Sequence, residues 1–407
     1  MPTDDGRNLG STTFRLFELL LFVLIAGLFL TQVVKGIEVI NRLLGIVLVL
    51  LAVNSLLNRG GRVPAEVLLL GAFVAWGAAT GLLVAGDQEA VLRYVRLLVQ
   101  ELALFFAVAE YARVRRSARA VFIALSLLPL ALGAYSYFTG QWQQAVSGNI
   151  SQMSSLMINP NGVGIGALYG FFGVAYISRR ERDMRLVALP LLFIPVIVAV
   201  VLLTASRKSL LTITLFSALW AYVSMLVGGA LGGRIRTAIL VVAVLFGFWY
   251  VWTAIVPQTH IGTKFRKTLD NPRIDSDRYS LYEQGWGFVK ANPIAGVGLG
   301  NFLRATKQRE YAHSDYMEPL ATTGVVGFVL YMSILLCLFR RLIRISRRQS
   351  DPNTRYRAGL YIAILVSTMA LGIGVPNFLD PYYWLVLGAA VGHSRALEVA
   401  EEEAPCA

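Results

Sequence analysis

The sequence predicts an all-α polytopic membrane protein with about twelve membrane-spanning helices, on three observations. Of its 407 residues, 56% are hydrophobic and only 15% charged, and a mean hydropathy of +0.61 is far above that of water-soluble globular chains. The apolar residues collect in runs close to the roughly 20 residues that a helix needs to cross about 30 Å of hydrocarbon. The runs are continuous, where a membrane barrel shows short alternating segments, so the backbone must satisfy its hydrogen bonds within helices.

Residues 1–15 are polar and of mixed charge, and the apolar run after them lacks a small-residue cleavage site, so an uncleaved first helix is expected. Spans are expected at 16–34, 37–57, 64–85, 91–112, 118–138, 161–178, 186–204, 209–228, 236–256, 319–340, 358–376 and 381–397. Alternate connections carry Arg59 and Arg62; Arg113, Arg115, Arg116 and Arg119; Arg179, Arg180, Arg182 and Arg185; Arg234 and Arg236; and Arg340, Arg341, Arg344, Arg347, Arg348, Arg355 and Arg357. The short connections between them hold little beyond Lys35, Arg207 and Lys208. Basic residues in short loops stay cytoplasmic, which places both termini in the cytoplasm and the long polar segment outside.

The chain is therefore expected to divide into nine helices over 1–257, an extracytoplasmic loop over 258–318, and three helices with a cytoplasmic tail over 319–407. The net charge of +13 then reflects topology and implies no nucleic-acid partner. Two cysteines, Cys337 and Cys406, support neither a disulfide framework nor a thiolate metal site.

The 258–318 segment is the one long hydrophilic stretch and holds the candidate chemistry. Outside the membrane it has no ATP or nicotinamide cofactor to draw on, so a reaction there must use an already activated substrate, and no cofactor is expected. Of three histidines, His393 falls in the last helix and His260 just past the ninth. His313 follows a polar, helix-like run, 303–312, and precedes Asp315, Tyr316, Glu318 and Pro319 at the lip of the tenth helix. A lone histidine is usually structural, but an imidazole among extracytoplasmic arginines fits a general base.

Arg207 and Lys208 depart from the charge pattern, in a short outer connection between two apolar helices. An arginine deep in a bilayer costs about 2.5–3.5 kcal/mol on insertion scales. Snorkelling to headgroups accounts for such a pair; a polar pathway is favoured here, because with Arg278 it would clamp a diphosphate through two-pronged guanidinium contacts.

Gly296-x-Gly298-x-Gly300 has the wrong spacing and compartment for a dinucleotide loop and is expected to make a tight turn. Asp275-Ser276-Asp277 is a D-x-D of the kind that holds a divalent ion; Arg273 and Arg278 crowd it, solvated loop charge is favoured, and no metal is expected. Asn159-Pro160-Asn161-Gly162 opens the sixth span, as a helix cap or a substrate contact. Glu101 with Arg93 and Arg96 is expected to form a structural pairing within the fourth span.

In order, Asn159-Pro160-Asn161, Ser206-Arg207-Lys208-Ser209, Arg278, the run PIAGVGLGNF at 293–302 and the run HSDYMEPLATTGVVG at 313–327 resemble the O-antigen ligase superfamily, mainly over residues 159–327. That superfamily includes lipopolysaccharide O-antigen ligases, O-antigen polymerases and pilin-glycosylating oligosaccharyltransferases. The resemblance implies a GT-C-like glycosyltransferase of the bacterial inner membrane. It would take a glycan from undecaprenyl diphosphate on the periplasmic face and, in a ligase, pass it to the lipid A core, with membrane lipids around both substrates. It implies Arg207 and Arg278 as the paired diphosphate arginines, with Lys208 beside them, and His313 as the base acting in an inverting, metal-independent transfer. Asn159, Asn161, Asp315, Tyr316 and Asp380 are further substrate-binding candidates, and Ser314 stands where the family frequently has asparagine.

A ligase is expected ahead of a polymerase, which runs the same donor chemistry onto a second lipid-linked glycan. From another class, a polysaccharide flippase or transporter also carries many helices with intramembrane charge, but commonly shows repeated halves; here the polarity gathers in one late loop.

Overall fold

In the computed structural model the described residues are 5–31, 36–59, 61–84, 87–140, 160–178, 184–204, 206–227, 246–247, 249–258, 262–263, 266, 269–270 and 276–402. Among them there are helices and no strand. The α-helices are α1 (Asp5–Leu30), α2 (Ile37–Asn58), α3 (Ala65–Leu83), α4 (Gln88–Arg115), α5 (Arg119–Ser126), α6 (Leu128–Phe138), α7 (Pro160–Ile177), α8 (Met184–Thr204), α9 (Arg207–Val227), α10 (Ser276–Ala291), α11 (Phe302–Ala305), α12 (Met317–Arg348), α13 (Pro352–Gly372) and α14 (Pro381–Glu402). Among the described residues four of these, α2, α3, α9 and α12, are long and apolar enough to cross a membrane by length and composition, and shorter apolar helices cover Arg119–Tyr135, Asn161–Ile177 and Phe193–Leu202. The chain is thus an all-α, multi-pass membrane protein.

Several boundaries differ from expectation for local reasons. The single span expected at 118–138 is two helices, α5 and α6, meeting at Leu127 with a proline in the first turn of α6, where its missing N–H costs nothing. Arg207 and Lys208 form the first turn of α9 and not a loop. The helix-like run expected over 303–312 is helical only to Ala305. Asn159, Asp275, His260 and most of the span expected at 236–256 lie outside the described residues.

The fold forms two compact units. In the first (1–63, 103–203 and 384–396) α1 packs on α2 and α5, and α5 and α6 pack on α7. Stacked rings, Phe17 on Tyr111 at 4.7 Å and Phe122 on Tyr176 at 4.3 Å, fill its interior. The Tyr176 hydroxyl accepts from Ala118 N and lies 3.2 Å from His393 Nδ1, so His393 is a satisfied core histidine.

The second unit comprises 64–102, 204–383 and 397–407. Here α3, α10 and α13 pack on α12, and α9 packs on α13. Near the far end of α12, Arg341 bridges Glu66 at 2.8 Å and Glu398 at 3.2 Å, and the carboxylate of Glu66 is fully buried. Such a pair specifies a packing more than it stabilises one, since desolvation offsets most of the Coulomb gain.

The helix α12 is broken at Gly324, whose φ of 66° and ψ of −170° leave the helical region. The break frees backbone groups that must find partners inside a membrane protein. The loop after α10 supplies them: Val325 N donates to Pro293 O at 2.8 Å and Val297 N to Ala321 O at 2.9 Å. Trp76 Nε1 on α3 donates to Thr323 O at 2.8 Å. Space is equally strict, because a Cβ on Gly324 would lie 2.1 Å from Ile294 O and one on Gly296 2.3 Å from Ala321 O. The two glycine-bearing runs of the sequence are therefore one joint, fastening the loop at 293–302 to α12 just past His313.

Candidate functional site

His313 sits in the link between that loop and α12, in the second unit, with its imidazole half-buried. Its φ of 52° lies in the left-handed region, which costs a non-glycine residue about 1–3 kcal/mol and persists only where the surroundings impose it. They do so from both sides. Buried Glu318, in the first turn of α12, reaches back to accept Ala312 N at 2.7 Å. Ser314 Oγ accepts Tyr316 N at 3.2 Å and Met317 N at 3.3 Å, the capping geometry that ends orphan donors at a helix start. Ser314 thus closes the turn that leads into α12.

The next residues grip the end of α13. Asp315 N donates to Gly372 O at 2.7 Å, and Asp315 Oδ1 accepts Phe378 N at 2.9 Å. Burial raises the Asp315 carboxyl to about 7, against the opposing pull of its hydrogen bonds. Tyr316 donates its hydroxyl to Met369 O at 2.7 Å, and burial, with Asp315 nearby, raises its phenol. Both were substrate-contact candidates; here they brace the turn that carries His313.

Two cations act on the imidazole. Lys208, in the first turn of α9, hydrogen bonds Gly374 O, and Arg278 lies in the first turn of α10. Burial first, then the charges of Lys208 and Arg278, hold His313 below its ordinary value, with exposed Glu310 opposing them. The imidazole is therefore neutral, and a proton acceptor, at neutral pH. The Tyr311 ring stands edge-on to His313 at 6.4 Å, and the Tyr94 ring of α4 lies 6.5 Å from that of Tyr311.

The helix α10 is tied in at two places. The Tyr282 hydroxyl donates to Ile373 O at 2.9 Å. Gln284 and Gln308 bond each other at 2.8 Å, and Lys307 N donates to Gln284 Oε1 at 2.9 Å. Its inner face buries Leu281 and Val289 beside Phe302 and Ala312, which sets Arg278 at the His313 end.

The other candidates fall as follows. Arg207 is half-buried beside Lys208 at the head of α9. Asp380 precedes α14 and accepts Tyr382 N at 2.9 Å; withdrawal from water raises its carboxyl to about 7. Asn161 is exposed in the first turn of α7, in the first unit. The pairing expected between Glu101 and the nearby arginines is not what forms: exposed Arg93 pairs with Glu89 at 3.5 Å, while Glu101 is buried within electrostatic range of Asp380. Gly296, Gly298 and Gly300 have φ of 64°, 86° and 83°, the tight turn expected of them. Among the described residues no three His, Cys, Asp or Glu side chains gather as a metal site. What sequence reasoning missed is the run of carbonyls at 372–374, signalled only by Gly372, Gly374 and Pro376 at the end of an apolar run.

The arrangement, an acceptor imidazole with permanent cations beside it at the edge of a helical membrane unit, suits transfer of a group carried on a phosphate. Residues 191–332 match the family model described as O-antigen ligase, about a third of the chain. The matched stretch contains Arg207, Lys208, Arg278, His313 and Gly324. A curated relative, a probable peptidoglycan glycosyltransferase FtsW from Coxiella burnetii (strain RSA 493 / Nine Mile phase I), is 30% identical over 89 residues, 21% of this chain. The alignment spans 23% of that relative's length.

Proposed function

We propose that the protein transfers a glycan from undecaprenyl diphosphate to the lipid A core at the periplasmic face of the inner membrane, as an O-antigen ligase. The observation that supports this reading is that burial, then the charges of Lys208 and Arg278, hold His313 below its ordinary value. Arg278 and Arg207 hold the diphosphate through two-pronged contacts and Lys208 adds a point charge. His313 takes the proton of the acceptor hydroxyl, the hydroxyl oxygen attacks the anomeric carbon, and the bond from that carbon to the phosphate oxygen breaks. The electron pair leaves with undecaprenyl diphosphate, whose developing charge the cations stabilise without reorganising. Attack opposite the leaving group inverts the anomeric centre. No divalent ion is required, because fixed guanidinium and ammonium charges do what a metal would do. A curated relative described as a glycosyltransferase supports the reaction class.

The test is deletion of the protein in its host. Loss of a ligase leaves lipid-linked O-antigen outside the inner membrane with its chain length intact. Precursor retained inside would indicate a flippase, and single unpolymerised repeats would indicate a polymerase.

A further inference from the structure

The outward face of α10 is unlike the surface of an ordinary loop helix. Tyr279 is 74% exposed and Trp286 49%, and Glu283 and Lys290 are exposed with them. At helical spacing these positions, i, i+4, i+7 and i+11, fall in one stripe, with the two rings about 10 Å apart along the axis. Tyrosine and tryptophan pair a broad apolar face with a polar tip and are enriched at interfaces.

The paired glycines of the helix point the same way. Gly285 has a packing reason, because a Cβ there would press within 3.0 Å of Met317. Gly287 has none: a Cβ would meet nothing within 4 Å. Glycine inside a helix costs roughly 0.5–1 kcal/mol relative to alanine, so Gly287 gives up stability on an open face of α10 with no packing return. The stripe starts one residue after Arg278, the cation that faces His313.

We infer that the Tyr279–Trp286 face of α10 is a saccharide-binding track that holds the glycan of the lipid-linked donor beyond its first sugar. Flat rings offer the apolar faces of successive sugars a surface, and Glu283 and Lys290 between and beyond them reach hydroxyl groups. The occupant follows from continuity: a diphosphate at Arg278 puts the start of its glycan at the Tyr279 end. This inference rests on the proposed transfer reaction but concerns sugars distant from the bond that breaks.

The test uses the purified full-length protein and lipid-linked donors of one, two and four O-antigen repeat units. Tyr279→Ala and Trp286→Ala should leave KM for the one-unit donor unchanged and raise it for the four-unit donor by about three- to tenfold, the range of a lost aromatic contact. Equal effects at every length, or none, would overturn the track and leave the rings as membrane-interface anchors. A second arm needs no catalysis: tryptophan fluorescence with the four-unit oligosaccharide freed of its lipid by mild acid. Saturable quenching in the wild type that Trp286→Ala abolishes is expected, and it would stand even if no transfer were detected; no wild-type quenching would overturn the inference while leaving the transfer reaction intact.

Discussion

Lys208 and Tyr282 are held by adjacent carbonyl oxygens, the ammonium by Gly374 and the hydroxyl, at 2.9 Å, by Ile373. The carbonyl before them, of Gly372, takes Asp315 N. One helix end therefore assembles α9, α10 and the His313 turn, and its negative pole favours a cation there. Lys208 is consequently held, and the helix that carries Arg278 tied down, before substrate arrives, as electrostatic stabilisation without reorganisation requires.

If the arginines contribute planar, two-pronged contacts, charge alone will not replace them. Arg278→Lys and Arg207→Lys should each lower kcat/KM by about ten- to a hundredfold, the worth of a lost charge-assisted hydrogen bond of about 1.5–3 kcal/mol. Near-normal transfer in both variants would reduce these residues to general surface charge.

The pH dependence should expose the cations acting on the base. His313 is held below its ordinary value, so the acid limb of kcat/KM, which reports free enzyme, should have its midpoint below about 6.5. A bound diphosphate offsets the charges of Lys208 and Arg278, which raises the imidazole again. The limb of kcat should therefore lie at higher pH than that of kcat/KM. Coincident limbs, or the reverse order, would show that the diphosphate sits elsewhere.

Asp315 makes a prediction about stability. Its carboxyl is raised to about 7 from an ordinary 3.8, so the folded state favours the protonated form, and that contribution is complete below about pH 4 and lost as pH rises through about 7. Asp315→Asn keeps an acceptor for Phe378 N and should flatten this part of the thermal-stability profile. Asp315→Ala leaves that buried N–H without it and should cost about 1–3 kcal/mol in denaturant unfolding. An alanine variant of unchanged stability but impaired donor affinity would restore Asp315 as a substrate contact.

Composition and run length suffice for the helical membrane class, because the bilayer imposes both. The polarity of 258–318 and the oddity of Arg207-Lys208 pointed to Arg278 and Lys208, the cations whose charges act on His313, because misplaced charge in an apolar chain is costly to keep. The roles of Asp315 and Tyr316 were not legible. Both depend on carbonyls of α13 more than fifty residues away, and backbone acceptors leave no mark on residue type. The break at Gly324 was hidden for a related reason: an apolar run reads the same whether or not its helix is interrupted.

Gly324→Ala should damage the joint without touching any charged group. The new Cβ would meet the Ile294 carbonyl at 2.1 Å, in a backbone conformation that alanine resists. Limited proteolysis should open at the loop 293–302 before the wild type is cut anywhere in it, with a stability loss of at least about 1–3 kcal/mol. A variant as protease-resistant as the wild type would mean that the loop does not depend on this break.

The most direct test concerns His313 itself, by single-turnover transfer with the purified protein, a defined undecaprenyl-diphosphate glycan and a lipid A-core acceptor. His313→Ala should insert normally, bind the donor with an affinity close to that of the wild type, and transfer about 10² to 10⁴-fold more slowly, the usual contribution of a general base. The little activity left should no longer show the acid limb. Transfer by His313→Ala at close to the wild-type rate, with donor binding intact, would contradict the account and place the proton acceptor elsewhere, with Asp315, Glu318 and Asp380 the next residues to test.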